Sequence, residues 1–339
     1  MESIRRVVES TLVPHTAFNR AAERLKQGLA YSLNSPEPIC LAIVGESRTG
    51  KSRVLEEVAL DMPNSRTPDG VVVPILRIRV PSSPTVKGLA ELMLKALGDP
   101  KWESGTQNNK TARLQTQMKK AKTLMLMLDE FQHFFDKGKR KIFHDAADWL
   151  KILVDETRVT LVVTGLESCL PVLLRNEKLS GRFLAPVFMR RFNWLDDDDR
   201  MEFTGILGAF NDSMAEHFDL PLLQDKEMAY RCWCATGGLI GYLSKFLRQV
   251  VWNACDGGRR VITLEDLQAA HVEAIWATQG STLVDSPFDR SFAVGATQES
   301  IARALSLGTH SDQDDEPPRR RRPAGRKSGG TLAQNLVGG

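Results

Sequence analysis

The sequence predicts an α/β fold: a three-layer αβα sandwich around a five-stranded parallel sheet, followed by a small all-α lid. Three observations carry this. Short unbroken apolar runs at 39–44, 124–128 and 159–163 suit strands buried on both faces, as in parallel sheets. Helical stretches alternate with those runs, the pattern of a doubly wound sheet. After Asp196-Asp197-Asp198-Asp199 the alternation stops, and residues 199–278 keep only helical character.

The elements follow in order. Residues 1–34 read as a helical lead-in, because Ala17, Ala21, Leu25, Leu29 and Leu33 recur at helical spacing. Asn34-Ser35-Pro36 ends it. The first strand, 39–44, runs into a glycine-rich turn and a helix at 52–60. A second strand is expected at 71–80, broken by Pro81 and Pro84, with an amphipathic helix at 86–97. A polar loop (98–110) and a helix (111–121) lead to the third strand, 124–128. Helix 140–157 precedes the fourth strand, 159–163. A helix near 167–175 and a turn at 176–181 lead to a fifth strand, 187–195. The nucleotide-binding α/β domain thus spans 35–195 and the helical lid 196–279. Residues 280–339 form a tail that loses periodicity. From 308 onward it is rich in Asp, Pro, Arg and Gly and is expected to be disordered and suited to partner binding.

Composition narrows the class. The 339 residues are 42% hydrophobic and 26% charged, ordinary values for a globular chain. No apolar run is long enough to span a bilayer, and residues 1–9 lack the apolar core of a signal peptide. A cytoplasmic protein with no membrane partner is expected. The net charge is +3, and the tail segment 312–327, with six basic and four acidic side chains, supplies +2 of it. Any nucleic acid must therefore be held by a local patch, not a global field. Five cysteines with no framework spacing argue against a disulfide scaffold. Cys232 and Cys234 read as buried small hydrophobes or, less economically, as half of a zinc site. The four aspartates at 196–199 read either as a helix cap or as a cation site.

Gly45-Glu46-Ser47-Arg48-Thr49-Gly50-Lys51-Ser52 matches the phosphate-binding pattern G-x-x-x-x-G-K-[ST] in full, between a strand and a helix. The glycines let the backbone N–H groups face phosphate oxygens, and the helix N-terminus adds partial positive charge. Lys51 is expected to reach the β- and γ-phosphates of ATP, and Ser52 to ligate Mg2+. The third strand ends in Asp129-Glu130. Asp129 is suited to hold Mg2+ and Glu130 to polarise the attacking water, so hydrolysis as well as binding is chemically possible. Thr164 ends the fourth strand. It either orients the water and senses the γ-phosphate or merely caps the strand. Arg182 is a candidate arginine finger for a neighbouring subunit's ATP, with Arg190 and Arg191 as rivals, or an ordinary surface arginine.

With these residues in view, the chain resembles the TniB/TnsC-type AAA+ ATPases of bacterial DNA transposons. The specific part begins at Asp129-Glu130-Phe131-Gln132-His133. It continues through Gly138, Asp148-Trp149-Leu150-Lys151, Thr157, Thr164-Gly165-Leu166, Asn176-Glu177-Lys178-Leu179 and Arg182-Phe183. Thr236-Gly237-Gly238-Leu239-Ile240-Gly241 and Ser286-Pro287-Phe288 resemble the family's later segments. The resemblance implies an AAA+ P-loop fold and an ATP-dependent homo-oligomer, a ring or filament on double-stranded DNA. It also implies a role linking a target-selector protein to a transposase, with hydrolysis as a timer. One departure stands out: the lid turn has no arginine in a Gly-x-x-Arg register, and Lys245 and Arg248 lie further along its helix.

For DNA, the basic residues beside the sheet are Lys101 and Lys110 around the polar loop, and Lys137, Lys139, Arg140 and Lys141 after the acidic pair. Phosphate contacts by such residues predict weak sequence specificity and strong salt dependence. A solvated basic face is the plain alternative. At the level of function, the alternatives are a helicase-loader or initiator ATPase and a nucleotide-switched signalling ATPase. The first calls for a dedicated DNA-reading domain, and the sequence carries no helix-turn-helix or zinc motif.

Overall fold

A computed structural model describes residues 2–34, 37–68, 70–134, 140–175, 180–275 and 286–308. Its central sheet contains β1 (Cys40–Val44), β4 (Ile75–Arg79), β5 (Met125–Asp129), β6 (Thr160–Gly165) and β7 (Val187–Phe188). The strand order is β4-β5-β6-β1-β7, and every pairing is parallel. Parallel strands need helical crossovers on both faces, which is why β1, β5 and β6 are apolar nearly throughout. On one face pack α3 (Thr16–Asn34) and α4 (Lys51–Leu60). On the other lie α5 (Val86–Ala96), α6 (Gln107–Lys120) and α7 (Arg140–Thr157). The three-layer sandwich is thus as the sequence predicts.

Two strand boundaries differ from expectation. The stretch 71–80 is split: β2 (Ser65–Thr67) and β3 (Gly70–Val72) form a separate antiparallel hairpin before β4. Pro74 causes the break, since it has no N–H for a ladder, while its carbonyl accepts from Leu124 and Met125. The fifth strand stops at Phe188 instead of reaching 195. Past the last bond to β1, from the Met189 N–H to the Val44 carbonyl (2.8 Å), the chain leaves the sheet for the lid. There Phe192 and Trp194 enter a second core.

That core is built by α9 (Asp197–Ala215), α10 (Lys226–Thr236), α11 (Ile240–Asp256) and α12 (Leu264–Ala274), with α8 (Leu170–Arg175) remaining on the sheet side. Asp196 caps α9 by accepting from the Asp199 N–H (3.0 Å), and Asp199 accepts from the Asn193 N–H (2.8 Å). The acidic run is therefore a helix cap. Cys232 and Cys234 are buried, and burial pushes their thiols up to about 12 and about 11. Neutral thiols in an apolar core fit packing, not metal binding.

The lead-in divides. Its first part, α1 (Glu2–Arg5) and α2 (Val7–Ser10), crosses to the lid, where Val7 and Val8 join the core. Trp252 Nε1 donates to the Arg5 carbonyl (3.3 Å), and Arg248 pairs with Glu9 at 3.7 Å. A further helix, α13 (Gln298–Ser306), opens with a capping box at Thr297 and Ser300 and packs on α10. Residues 286–308 are thus part of the fold, not of an aperiodic tail. Residues 309–339 lie outside the described residues.

His271 in α12 gives the lid a pH dependence. Its Nε2 donates to the Ala235 carbonyl (3.3 Å), and Nδ1 is buried without a partner. Burial drives its pKa down to about 4 from 6.5. The unfolded chain takes up this proton near pH 6.5 and the folded chain only near 4, so stability is intact above that window and falls as pH drops through it. At pH 5 the loss from this group is about 2 kcal/mol. Thermal unfolding at pH 7 and pH 5 checks this: His271→Gln should flatten the difference in part, the remainder coming from His15, also held low by burial.

Candidate active site

The strand β1 ends at Val44 and the chain curls over the end of the sheet before α4 begins at Lys51. The curl is tightly packed. A side chain on Gly45 would sit 1.8 Å from the Met189 carbonyl oxygen, so only glycine fits. Arg48 is left-handed at φ 68° and Gly50 at φ 94°. No side chain caps the N-terminus of α4, the arrangement in which a helix's first N–H groups stay available to an anion. Thr49 braces the curl from inside, its hydroxyl donating to the Glu46 carbonyl (2.9 Å).

Beneath this loop the sequence-predicted residues converge. Lys51 Nζ donates to the carbonyls of Gly45 (2.9 Å) and Glu46. Burial pulls its pKa down, partly offset by Glu130 and Asp129. Asp129, at the end of β5, is held by three donors. Ser52 Oγ reaches Oδ2 at 2.6 Å, while Thr164 Oγ1 (2.5 Å) and the Glu130 N–H (2.9 Å) reach Oδ1. Thr164 is fully buried in β6, and its hydroxyl ties the fourth strand to the acidic pair. Glu130 turns at φ 58°, a costly conformation for a side-chain-bearing residue. Gln132, on the short helical turn Phe131–Phe134, donates to Glu130 Oε2 and accepts from the Leu166 N–H (3.3 Å). Arg79, at the end of β4, approaches Glu130 Oε1 at 3.6 Å.

Gln132 and Arg79 were not among the residues the sequence pointed to as catalytic. Arg79 is the last residue of the strand beside β5, so a parallel register of β4 on β5 was the only signal for it. Among the hard oxygen donors here, Ser52 and Asp129, in contact with each other, form a pair suited to a cation shared with phosphates. Among the described residues no group of three or more His, Cys, Asp or Glu is placed to hold a metal by protein ligands alone.

The arginines separate. Arg182 lies at the far end of the sheet from its own P-loop: its carbonyl accepts from the Cys40 N–H (2.8 Å), where β1 begins. Its guanidinium pairs with Asp155 of α7 at 2.8 Å, leaving Nη1 buried and unpartnered. Arg190 is exposed, beside Glu167 (3.6 Å) and over the Phe188 ring. Arg191 is almost enclosed and bound to Glu46 of the P-loop. The candidate DNA residues separate too. Lys101 is exposed. Lys110 is fully buried, its ammonium held by Glu91 (2.7 Å) and the carbonyls of Trp102 (3.0 Å) and Glu103. It braces α6 against α5 and the intervening loop, which corrects its reading as a DNA contact. Lys137 and Lys139 lie outside the described residues, and Arg140 and Lys141 open α7, where only their backbone is described.

Solved structures share this architecture. The chain is similar to Cdc6p from Pyrobaculum aerophilum, with a TM-score of 0.58 and 15% identity over 80% of this chain and 72% of that one. It is also similar to the Aeropyrum pernix ORC1 protein solved in complex with DNA, with a TM-score of 0.57 and 16% identity over 79% and 69%. The A. pernix ORC2 protein in ADPNP-ADP complexes gives 0.57 and 12% over 82% and 72%. A search of curated proteins finds no match. Fold and site together define a P-loop ATPase of the AAA+ class with a helical lid. A family model described as "Bacterial TniB protein" matches residues 3–193, more than half of the chain, and the chain belongs to that family.

Proposed function

We propose that this protein is an ATP- and Mg2+-dependent AAA+ ATPase that assembles as a homo-oligomer on double-stranded DNA. We further propose that it regulates transposition by linking a target-selector protein to the transposase. One observation carries the ATPase chemistry: Ser52, Asp129, Thr164 and Glu130 converge under an uncapped helix N-terminus. Membership in the TniB family supports the transposition role.

The residues divide the work. The loop from Gly45 to Ser52 wraps the phosphates with its N–H groups, and Lys51 turns from the loop carbonyls to the β- and γ-phosphates. Mg2+, when bound, neutralises phosphate charge, and Ser52 and Asp129 are the side chains that would hold it. Glu130 accepts the proton of the attacking water, and Thr164 fixes the acidic pair in position. Gln132 and Arg79 hold the Glu130 carboxylate until substrate repositions it. Arg182 acts in trans: its place at the opposite end of the sheet keeps it from its own ATP, and assembly brings it to a neighbour's. Hydrolysis is then tied to assembly and serves as a timer. The proposed location is the bacterial cytoplasm, in association with DNA. No helix among the described residues is long and apolar enough to cross a membrane.

DNA is held by phosphate contacts from Lys101, Lys139, Arg140 and Lys141, a reading supported by the related fold of ORC1 solved with DNA. The paired reversal Lys139→Glu with Arg140→Glu should abolish DNA retention at moderate salt and leave nucleotide affinity unchanged. Filter binding across a salt series checks this, and unchanged DNA affinity in the variant would rule the assignment out.

A further inference from the structure

Arg191 lies two residues beyond the last hydrogen bond of the sheet edge, on the segment that leads into the lid. Its side chain is only 9% exposed and touches three separate parts of the chain. Nε and Nη2 both donate to Glu46 Oε2 of the P-loop, the first at 2.8 Å. Nη1 donates to the Leu305 carbonyl (3.0 Å) and reaches the Gly237 carbonyl of the lid turn (3.4 Å). Nη2 also donates to the Leu307 carbonyl (3.0 Å). Leu305 and Leu307 are at the end of α13, whose terminal carbonyls have no partner within the helix itself. One fixed cation thus closes the C-terminus of α13 and grips the nucleotide loop at once. A guanidinium suits this, since its planar fork offers five donors and keeps its charge when enclosed.

A second contact joins the same parts. The Gly241 N–H donates to the Arg48 carbonyl (2.8 Å), and a side chain on Gly241 would lie 2.9 Å from that oxygen. The Arg48 guanidinium sits over the Tyr242 ring, 4.5 Å from its centroid. Glu46 and Arg48 are two of the four variable positions of the P-loop. Though partly exposed, their side chains contact the lid at Tyr242 and Arg191, the residue that closes α13.

Resting on the ATPase reading, we propose that Arg191 is a positioning residue that couples nucleotide binding to the seating of α13. The curled loop that presents its N–H groups to phosphate is the conformation in which Glu46 meets Arg191. Nucleotide stabilises that curl, so it must also stabilise the seat of α13, and a seated α13 must strengthen nucleotide binding equally. Arg191 does not touch the reacting groups around Glu130. Its loss should therefore appear in KM and leave kcat little changed.

Hydrogen exchange of α13, with and without a slowly hydrolysed ATP analogue, tests this in the full chain. In the wild type, nucleotide should slow exchange across 298–307. Glu46→Gln keeps the shape of a partly exposed side chain and should fold normally. It should abolish that nucleotide-dependent slowing and weaken ATP binding by about tenfold, the ordinary size of such a coupling. Arg191→Met should do the same, and Arg191→Lys should restore part of it. Nucleotide-dependent protection of α13 that persists in Glu46→Gln, or no protection in a wild type that binds ATP, would overturn the proposal. A wild type that binds no ATP would overturn the ATPase reading and the coupling with it.

Discussion

Glu130→Gln is expected to cut ATP turnover by about 10²- to 10⁴-fold, the usual contribution of a positioned general base, with nucleotide affinity kept. The substitution is nearly isosteric. Its amide oxygen can still accept from Gln132, so the left-handed turn at Glu130 and the Asp129 contacts should survive. Only the capacity to take a proton from water is lost. Phosphate release and titration with a fluorescent nucleotide separate the two effects. Turnover near the wild-type rate would show that another group handles the water. The same variant should also prolong any nucleotide-dependent assembly, because the proposed timer no longer runs.

Lys51→Ala acts one step earlier. It should lower ATP affinity by about a hundredfold or more, since hydrogen bonds to charged groups are each worth about 1.5–3 kcal/mol and Lys51 is placed to make several. In the protein alone this ammonium donates to two loop carbonyls, and burial works against its charge. Phosphate charge favours the protonated form, so nucleotide binding and the Lys51 proton reinforce each other. Affinity should consequently fall at alkaline pH, as the free protein loses that proton. Calorimetric titration of ATP into wild type and variant checks both statements, and an affinity unchanged by Lys51→Ala would remove the phosphate role from the loop.

The nucleotide site was legible because its signals are local. Eight consecutive residues carry the phosphate loop, and an apolar run ending in Asp129-Glu130 carries the acidic pair. Contacts between distant segments were not legible. Arg191 was read as a rival arginine finger within the fifth strand, and only folding brings it to Glu46, far upstream in the chain. Lys110 misled for the opposite reason. Its neighbours 103–109 are polar, but Leu114 and Met118 turn that face of α6 inward, and the loop carbonyls of Trp102 and Glu103 close over the ammonium. The split of 71–80 was written in Pro74, whose missing N–H outweighs the β-branched residues around it. The lid's helices were visible as a pattern. Its completion by Val7 and Val8 from one end and α13 from the other was not, because both are short segments whose apolar residues find partners only in the assembled core.

In the proposed mechanism, nucleotide controls assembly on DNA. Electron microscopy of the full chain with double-stranded DNA and a slowly hydrolysed ATP analogue, with Lys51→Ala as control, tests it most directly. Rings or filaments on DNA that require nucleotide and vanish in the variant are the predicted result. A monomer indifferent to DNA and nucleotide would contradict it and turn the reading toward a switch whose output is protein binding.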